Sequence, residues 1–189
     1  MTSRPAPQQA RAAKTRLKLL DAAATVVRRD GISAMTLARV AEEAGVSKGG
    51  LLHHFGSKDE LVTGLLDQTL ADASSGLDDL TGGDERGAFA KAYLEYVRRP
   101  DEHQADAATA VFAAAAAGDG ELGPAADVFA AWQHRLMHED GLDPALGLLA
   151  RIVGDGLWLI DLFGLGRPSE DERAAVIDLV ARLLDDPLD

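Results

Sequence analysis

The stretch from Met35 to Lys58, MTLARVAEEAGVSKGGLLHHFGSK, constrains this chain more tightly than any other. Leu37, Val40, Ala41 and Ala44 recur at helical spacing behind Thr36, a good N-cap. Gly45 can take the left-handed conformation that turns the chain, and Val46 plugs the turn. Ser47 caps a second helix. Its Leu51 and Phe55 lie four apart and face inward, and Gly56 stops it. Two short helices joined by a tight glycine turn form a helix-turn-helix, whose second helix enters the major groove of duplex DNA.

The residues that open the second helix fit that task. The end that enters the groove must be slim and should offer donors. Lys48 supplies a cation, and Gly49 and Gly50 let the backbone come close. Two glycines cost a helix about 2 kcal/mol relative to alanine, which is tolerable where bulk would obstruct docking. The alternative for Gly49-Gly50 is a loose turn. His53 and His54 fall on the exposed side, each able to donate to a phosphate or a base edge. A metal site is the competing reading of the pair, but no third ligand accompanies them at helical spacing. Lys58 stands at a helix N-terminus, where the dipole disfavours a cation unless a phosphate binds there too. Thr36 has the same geometry, with Arg39 one turn on.

Net charge is −12, which conflicts with a DNA partner until its distribution is examined. Residues 1–60 hold ten Lys and Arg against six Asp and Glu, giving +4. The remaining residues hold nine against 25, giving −16. Salt screens charges beyond about 8–10 Å, so a distant acidic body only weakly opposes a basic reader. Residues 1–13 read as a mobile arm. With Arg4, Arg11, Lys14, Arg16 and Lys18, this start is basic, either as a solvated tail or as an arm reaching phosphates or the minor groove. Residues 14–60 form the reader, and residues 61–189 a helical body.

Within the reader a first helix is expected from about Ala12 to Arg29, with Leu17, Leu20, Ala24 and Val27 on its apolar face. Ser57-x-x-Glu60 forms a capping box for a fourth helix, predicted to break near Ser74. Beyond Gly83 no strand alternation appears. Helices are expected over Asp84–Arg98, Asp101–Ala117, Gly123–Glu139, Pro144–Phe163 and Glu170–Leu184, nine in all. The longest apolar stretch, Leu148 to Leu165, contains Arg151, Asp155 and Asp161, so it reads as a buried helix rather than a membrane span. The absence of cysteine excludes disulfides and thiolate metal sites, and no signal peptide is apparent in Met1–Ala13, so a cytoplasmic location is expected. No nucleophile motif, phosphate loop or metal-spaced cluster suggests an enzyme, and no cofactor is expected.

Residues 14–62 resemble the DNA-binding domain of the TetR family of bacterial transcriptional regulators. The matching features are Lys14–Val27, GISAMTLARVAEEAGVS, KGGLLHHF and SKDEL. DGLWLIDLFGLG resembles a late-helix motif of one branch of these proteins. The resemblance implies an all-α chain with a three-helix DNA-binding domain and a six-helix ligand-binding and dimerisation domain. It also implies that Thr36, His54 and Lys58 contact phosphates, and that Lys48, Gly49 and His53 face bases. The family commonly has Thr where this chain has Gly50 and Tyr where it has Leu52, so two hydroxyls are lost.

The same resemblance implies a homodimer built mainly by the last two helices, and a near-palindromic operator. Physically, Leu146, Leu149, Val153, Leu157 and Ile160 form one stripe, and Val176, Leu179, Val180, Leu183 and Leu184 another. It further implies an apolar inducer pocket. Tyr93, Phe112, Trp132 and Trp158 are the candidate lining residues, with Gln133, His134 and Asp155 as polar partners. Asp155 has an alternative, an i,i+4 pair with Arg151. The expected function is a repressor released from its operator by a small apolar ligand. The competing reading is a DNA-binding regulator with no small-molecule ligand, controlled by a protein partner or by abundance.

Overall fold

The computed structural model describes residues 7–98 and 123–186. Among them are eight α-helices and no strand: α1 (Pro7–Asp30), α2 (Leu37–Glu43), α3 (Lys48–Leu52), α4 (Lys58–Leu80), α5 (Ala88–Arg98), α6 (Gly123–His134), α7 (Pro144–Phe163) and α8 (Glu170–Asp185). A 3-10 turn, Ile32–Ala34, precedes α2, and a π-helical turn, Arg135–Glu139, continues α6. The helix expected over Asp101–Ala117 lies outside the described residues. Among these residues the first compact unit ends at Gln68 and the second begins at Thr69, so α4 crosses the division.

In the first unit, α1 starts at Pro7 rather than near Ala12, so residues 7–13 are its first turns and not a separate arm. Its buried face is Leu19, Leu20, Ala22, Ala23, Val26 and Val27. Leu17, expected on that face, is 49% exposed, because the core side of the helix is centred on Ala23 and Val26. Phe55 and Leu51 close the unit from α3 and its C-terminal turn, both essentially fully buried. Helices α1 and α4 meet closely at Gly64, where a Cβ would stand 2.8 Å from Phe55 Cε1 and 3.3 Å from Leu20 Cδ2. The Arg16 guanidinium covers the Phe55 ring at 4.3 Å, so this cation serves the fold.

Helix α4 runs through Ser74, Ser75 and Gly76 to Leu80, past the break expected near Ser74. Glycine weakens a helix by about 1 kcal/mol, but here it admits a partner. A Cβ on Gly76 would lie 3.1 Å from the Tyr96 ring, so packing overrides local preference.

The second unit has its own core, built from Leu77, Phe89, Ala90, Tyr93, Leu94, Leu136, Ala150, Leu157, Ile177, Val180 and Leu184. Helix α5 is central, packing on α7 and α8. It begins at Ala88 rather than Asp84, because its cap comes from far along the chain. The buried Asp140 carboxylate accepts from Phe89 N at 2.9 Å and Ala90 N at 2.8 Å, and Asp140 O accepts from Gly87 N at 2.8 Å. A carboxylate there satisfies orphan donors and opposes the dipole. The Arg173 guanidinium holds the buried Asp161 carboxylate through 2.6 and 2.7 Å bonds and donates to Val97 O at 2.8 Å, tying α8, α7 and α5 together.

Helix α7 departs from the expected buried helix. Leu157 is buried, and Leu146, Leu149 and Val153 pack on the core. Ile160, also in the expected stripe, is half-buried. The apolar surplus is a different set: Leu148, Ile152, Leu159 and Phe163 are exposed, Ile152 and Phe163 to 60% each. On α8 the expected stripe divides likewise. Val180 and Leu184 are buried, and Leu179 is 49% exposed.

Candidate nucleic-acid interface

Two caps and one turn shape the interface. Thr36 Oγ1 accepts from Arg39 N at 3.3 Å and starts α2. The end of α2 has Gly45 at φ 61°, Gly45 N bonded to Glu42 O and Val46 N bonded to Ala41 O, each at 2.9 Å. This is the Schellman closure, in which glycine in the left-handed region lets the last carbonyls find donors. Ser47 Oγ then accepts from Gly50 N at 3.0 Å and starts α3. Helix α3 is shorter than the Ser47-to-Gly56 expectation: it ends at Leu52, and His53 and His54 lie in the turn that leads to Phe55.

With Leu51 and Phe55 inward, the opposite side presents Lys48, Gly49, Leu52 and His53 to solvent. His54 is half-buried, with its ring edge-on to His53 at 5.5 Å between centroids. A Cβ on Gly49 would meet nothing within 4 Å, so its lack of side chain serves nothing inside the fold. A Cβ on Gly50 would meet Ser47 Oγ at 3.3 Å, so this glycine belongs to the cap. Leu52 is 42% exposed and brings apolar surface to the same face.

Three candidate contacts have partners within the protein. Lys58 Nζ donates to Ile32 O at 3.2 Å. The Arg39 guanidinium reaches Ala34 O at 3.4 Å and Asp30 at 3.7 Å. Thr36 is occupied as a cap. The Ser57-Glu60 box forms in altered form: Ser57 Oγ accepts from Glu60 N at 3.1 Å, but Glu60 Oε2 accepts from Gly56 N at 2.8 Å, one residue before the cap. Nearby, Arg29 bonds both Asp30 and Glu43. The bond from Arg29 holds the Asp30 carboxyl below its ordinary range, and its bonds to Asp30 and Glu43 raise Arg29 further. This clamp joins the C-terminal ends of α1 and α2.

In the second unit, three of the four candidate ligand residues come together, and Phe112 lies outside the described residues. Tyr93 and Trp132 are edge-on at 6.1 Å. Phe129, an aromatic outside that set, links Trp132 at 5.3 Å to Trp158 at 6.3 Å. A polar side adjoins them. Tyr93 OH donates to Asp155, Arg151 Nε donates to Asp155 at 3.1 Å, and Arg151 Nη1 donates to Gln133 at 2.5 Å. Asp155 therefore forms the i,i+4 pair with Arg151 and also accepts from Tyr93 of the aromatic group. Burial, reinforced by the Asp155 charge, pushes the Tyr93 phenol well above its ordinary range. His134 stands apart, exposed and 3.4 Å from Glu139. A groove of about 440 Å³ lies elsewhere, floored by Ala88, Ala92, Leu94, Ile177 and Ala181. Among the described residues no helix is long and apolar enough to cross a membrane.

A slim, exposed helix start behind a Schellman turn, in a unit followed by a second all-helical one, defines a helix-turn-helix protein of two helical units. Residues 19–65 match the tetR family of bacterial regulatory proteins, and residues 87–185 match the tetracyclin repressor-like C-terminal domain, so the chain belongs to the TetR family. It is 38% identical over 90 residues to the probable HTH-type transcriptional regulator ArpR of Pseudomonas putida, covering 44% of this chain and 41% of that protein. It is also 38% identical over 86 residues to the HTH-type transcriptional repressor KstR2 of Rhodococcus jostii, covering 41% and 42%. The chain thus spans about two-fifths of the length of these relatives. Its fold is shared with the multidrug binding protein EbrR complexed with imidazole (TM-score 0.66, 23% identity, 87% of this chain and 93% of that one). It is shared also with a transcriptional regulator from Rhodococcus sp. Rha1 (TM-score 0.70, 22% identity, 90% and 96%).

Proposed function

We propose that this chain is a dimeric repressor that reads a near-palindromic DNA operator and is released from it by a small apolar ligand. The observation that carries the DNA reading is the α3 face: Lys48, Gly49 and His53 stand exposed, and Gly49 lacks a side chain where the fold would accept one. In this reading Lys48 and His53 address base edges, Thr36, His54 and Lys58 address phosphates, and Leu52 meets thymine methyl groups. Arg39 and Lys58 must leave Asp30 and Ile32 O to do so. Gly50 acts through the Ser47 cap.

The exposed apolar residues of α7 and α8 support the dimer. Leu148, Ile152, Leu159, Phe163 and Leu179 lie on its two last helices, and Gly156 has open space where a Cβ would stand. A two-fold dimer sets its recognition helices about 34–36 Å apart, one turn of DNA. The aromatic group Tyr93, Phe129, Trp132 and Trp158 is the proposed ligand site. By linkage, ligand and operator weaken each other's binding by the same factor.

Capturing genomic fragments on the full chain, then titrating the best fragment against a random duplex in a gel shift, tests the DNA reading. A preference of at least about 10³-fold is expected, and equal affinities would sink it. The ring-on-ring contacts favour a second reading, a regulator without a small-molecule ligand, since rings 5.3–6.3 Å apart already fill one another's space. Thermal-shift screening with planar apolar compounds separates the two. Stabilisation that Trp132→Ala abolishes supports a ligand at these rings, and no stabilisation across the set supports the second reading.

A further inference from the structure

We infer that one flank of α1, formed by Arg11, Lys14 and Lys18, is a second DNA contact that grips backbone phosphates beside the groove read by α3. The inference rests on the DNA reading above and adds to it a surface outside the helix-turn-helix.

The described cations of the first unit fall into two sets. Arg16 lies on Phe55, Arg28 donates to Thr25, Arg29 clamps Asp30 and Glu43, Arg39 reaches Asp30, and Lys58 donates to Ile32 O. Among the described residues the head groups of Arg11, Lys14, Lys18 and Lys48 have no hydrogen bond or ion pair, and all four residues are exposed. Lys48 is already assigned to α3. The other three recur at i, i+3 and i+7, so they share one face of α1 over about 10 Å of its axis. One strand of a duplex presents a phosphate per roughly 3.4 Å of its length, so a face of that span can meet about three.

Between Arg11 and Lys18 no carboxylate balances this charge; Asp21, three residues past Lys18 on the same side of α1, bounds it. The chain has no acidic residue before Asp21, and α1 has none in its first turn. Position selects the occupant. Lys18 Nζ lies 3.9 Å from where a Gly45 Cβ would stand, at the turn leading three residues later to Lys48. The flank therefore adjoins the reading surface, and the anion that fits both is one continuous duplex.

The test compares the full chain with its Arg11→Gln/Lys14→Gln/Lys18→Gln variant, using a random-sequence duplex of about 40 base pairs, roughly four helical turns. Affinity is measured across a salt series. The slope of log affinity against log salt should become shallower by about 0.9 per lost contact, up to about 2.7 per protomer. Lys14→Ala alone should remove about one contact's share and guards against misfolding of the triple variant. Arg16→Gln should leave the slope unchanged, because that guanidinium sits on Phe55. If the wild type binds with a steep slope and both flank variants match it, the flank is a solvated helix face and the inference falls while the DNA reading stands. If Arg16→Gln lowers the slope as much as Lys14→Ala, net charge is responsible and the inference also falls. If the wild type shows no salt-dependent duplex binding, the DNA reading fails and takes the flank with it.

Discussion

Lys58 holds the carbonyl of Ile32, and that bond competes with its proposed phosphate contact. Lys58→Ala should weaken operator and random duplex alike and reduce the salt slope by about one unit, read by gel shifts at several salt concentrations. Lys48→Ala and His53→Ala should instead cost about 1–3 kcal/mol on the operator and much less on random DNA. Equal loss of selectivity from all three would mean that the wrong side of α3 has been assigned to bases. Tyr93 gives a second single-residue test. Its phenol is pushed up by burial, so the folded state keeps a proton that the unfolded chain releases near pH 10. That stability is complete below pH about 10 and declines as pH rises above it. Tyr93→Phe should flatten the alkaline fall in stability measured by denaturant melts between about pH 9 and 11. Of the residue-level picture, Lys48, Gly49 and His53 were legible as exposed donors and a slim backbone because Leu51 and Phe55 fix the helix face. That Lys58 and Arg39 have internal partners was not legible, since Ile32 and Asp30 meet them only through the tertiary fold.

At the scale of elements, termini depend on chemistry at two ranges. Thr36, Gly45 and Ser47 act locally, and their positions announced α2, the turn and α3. Gly45→Ala would force a side chain into the left-handed region and should lower unfolding stability by about 1–2 kcal/mol. Helix α5 starts where a residue fifty positions away caps it, which no local pattern announces. Asp140→Ala should cost about 1–2 kcal/mol in denaturant melts, because two buried amides lose their acceptor; a change within error would mean that water replaces the carboxylate. The break expected near Ser74 failed for a related reason. Gly76 weakens the helix locally, but the Tyr96 ring fills the space a side chain would need. Gly147 is tighter still: a Cβ there would stand 2.2 Å from Leu136 O, so α7 and the π-helical turn could not keep their spacing with any larger residue.

Over the whole molecule, the apolar surplus of α7 and α8 predicts self-association. Ile152→Asp should shift the protein toward monomer in sedimentation runs and weaken operator binding more than binding to a single half-site; an unchanged dimer would place the interface elsewhere. By itself the sequence determined the all-helical class, the helix-turn-helix, the exposed face of its second helix and the charge split between a basic start and an acidic remainder. These follow from periodicity, capping residues and charge counts, which act over a few neighbours or simply add up. Among the described residues, the tertiary structure decided which cations the fold consumes and which it leaves free. It decided that Phe129 completes the aromatic group, and that the stripe Leu146, Leu149, Val153 and Leu157 faces inward while Leu148, Ile152, Leu159 and Phe163 face out. An apolar helix with two greasy faces offers either to its core, and only the neighbours packed against it, α5 and α8, choose between them.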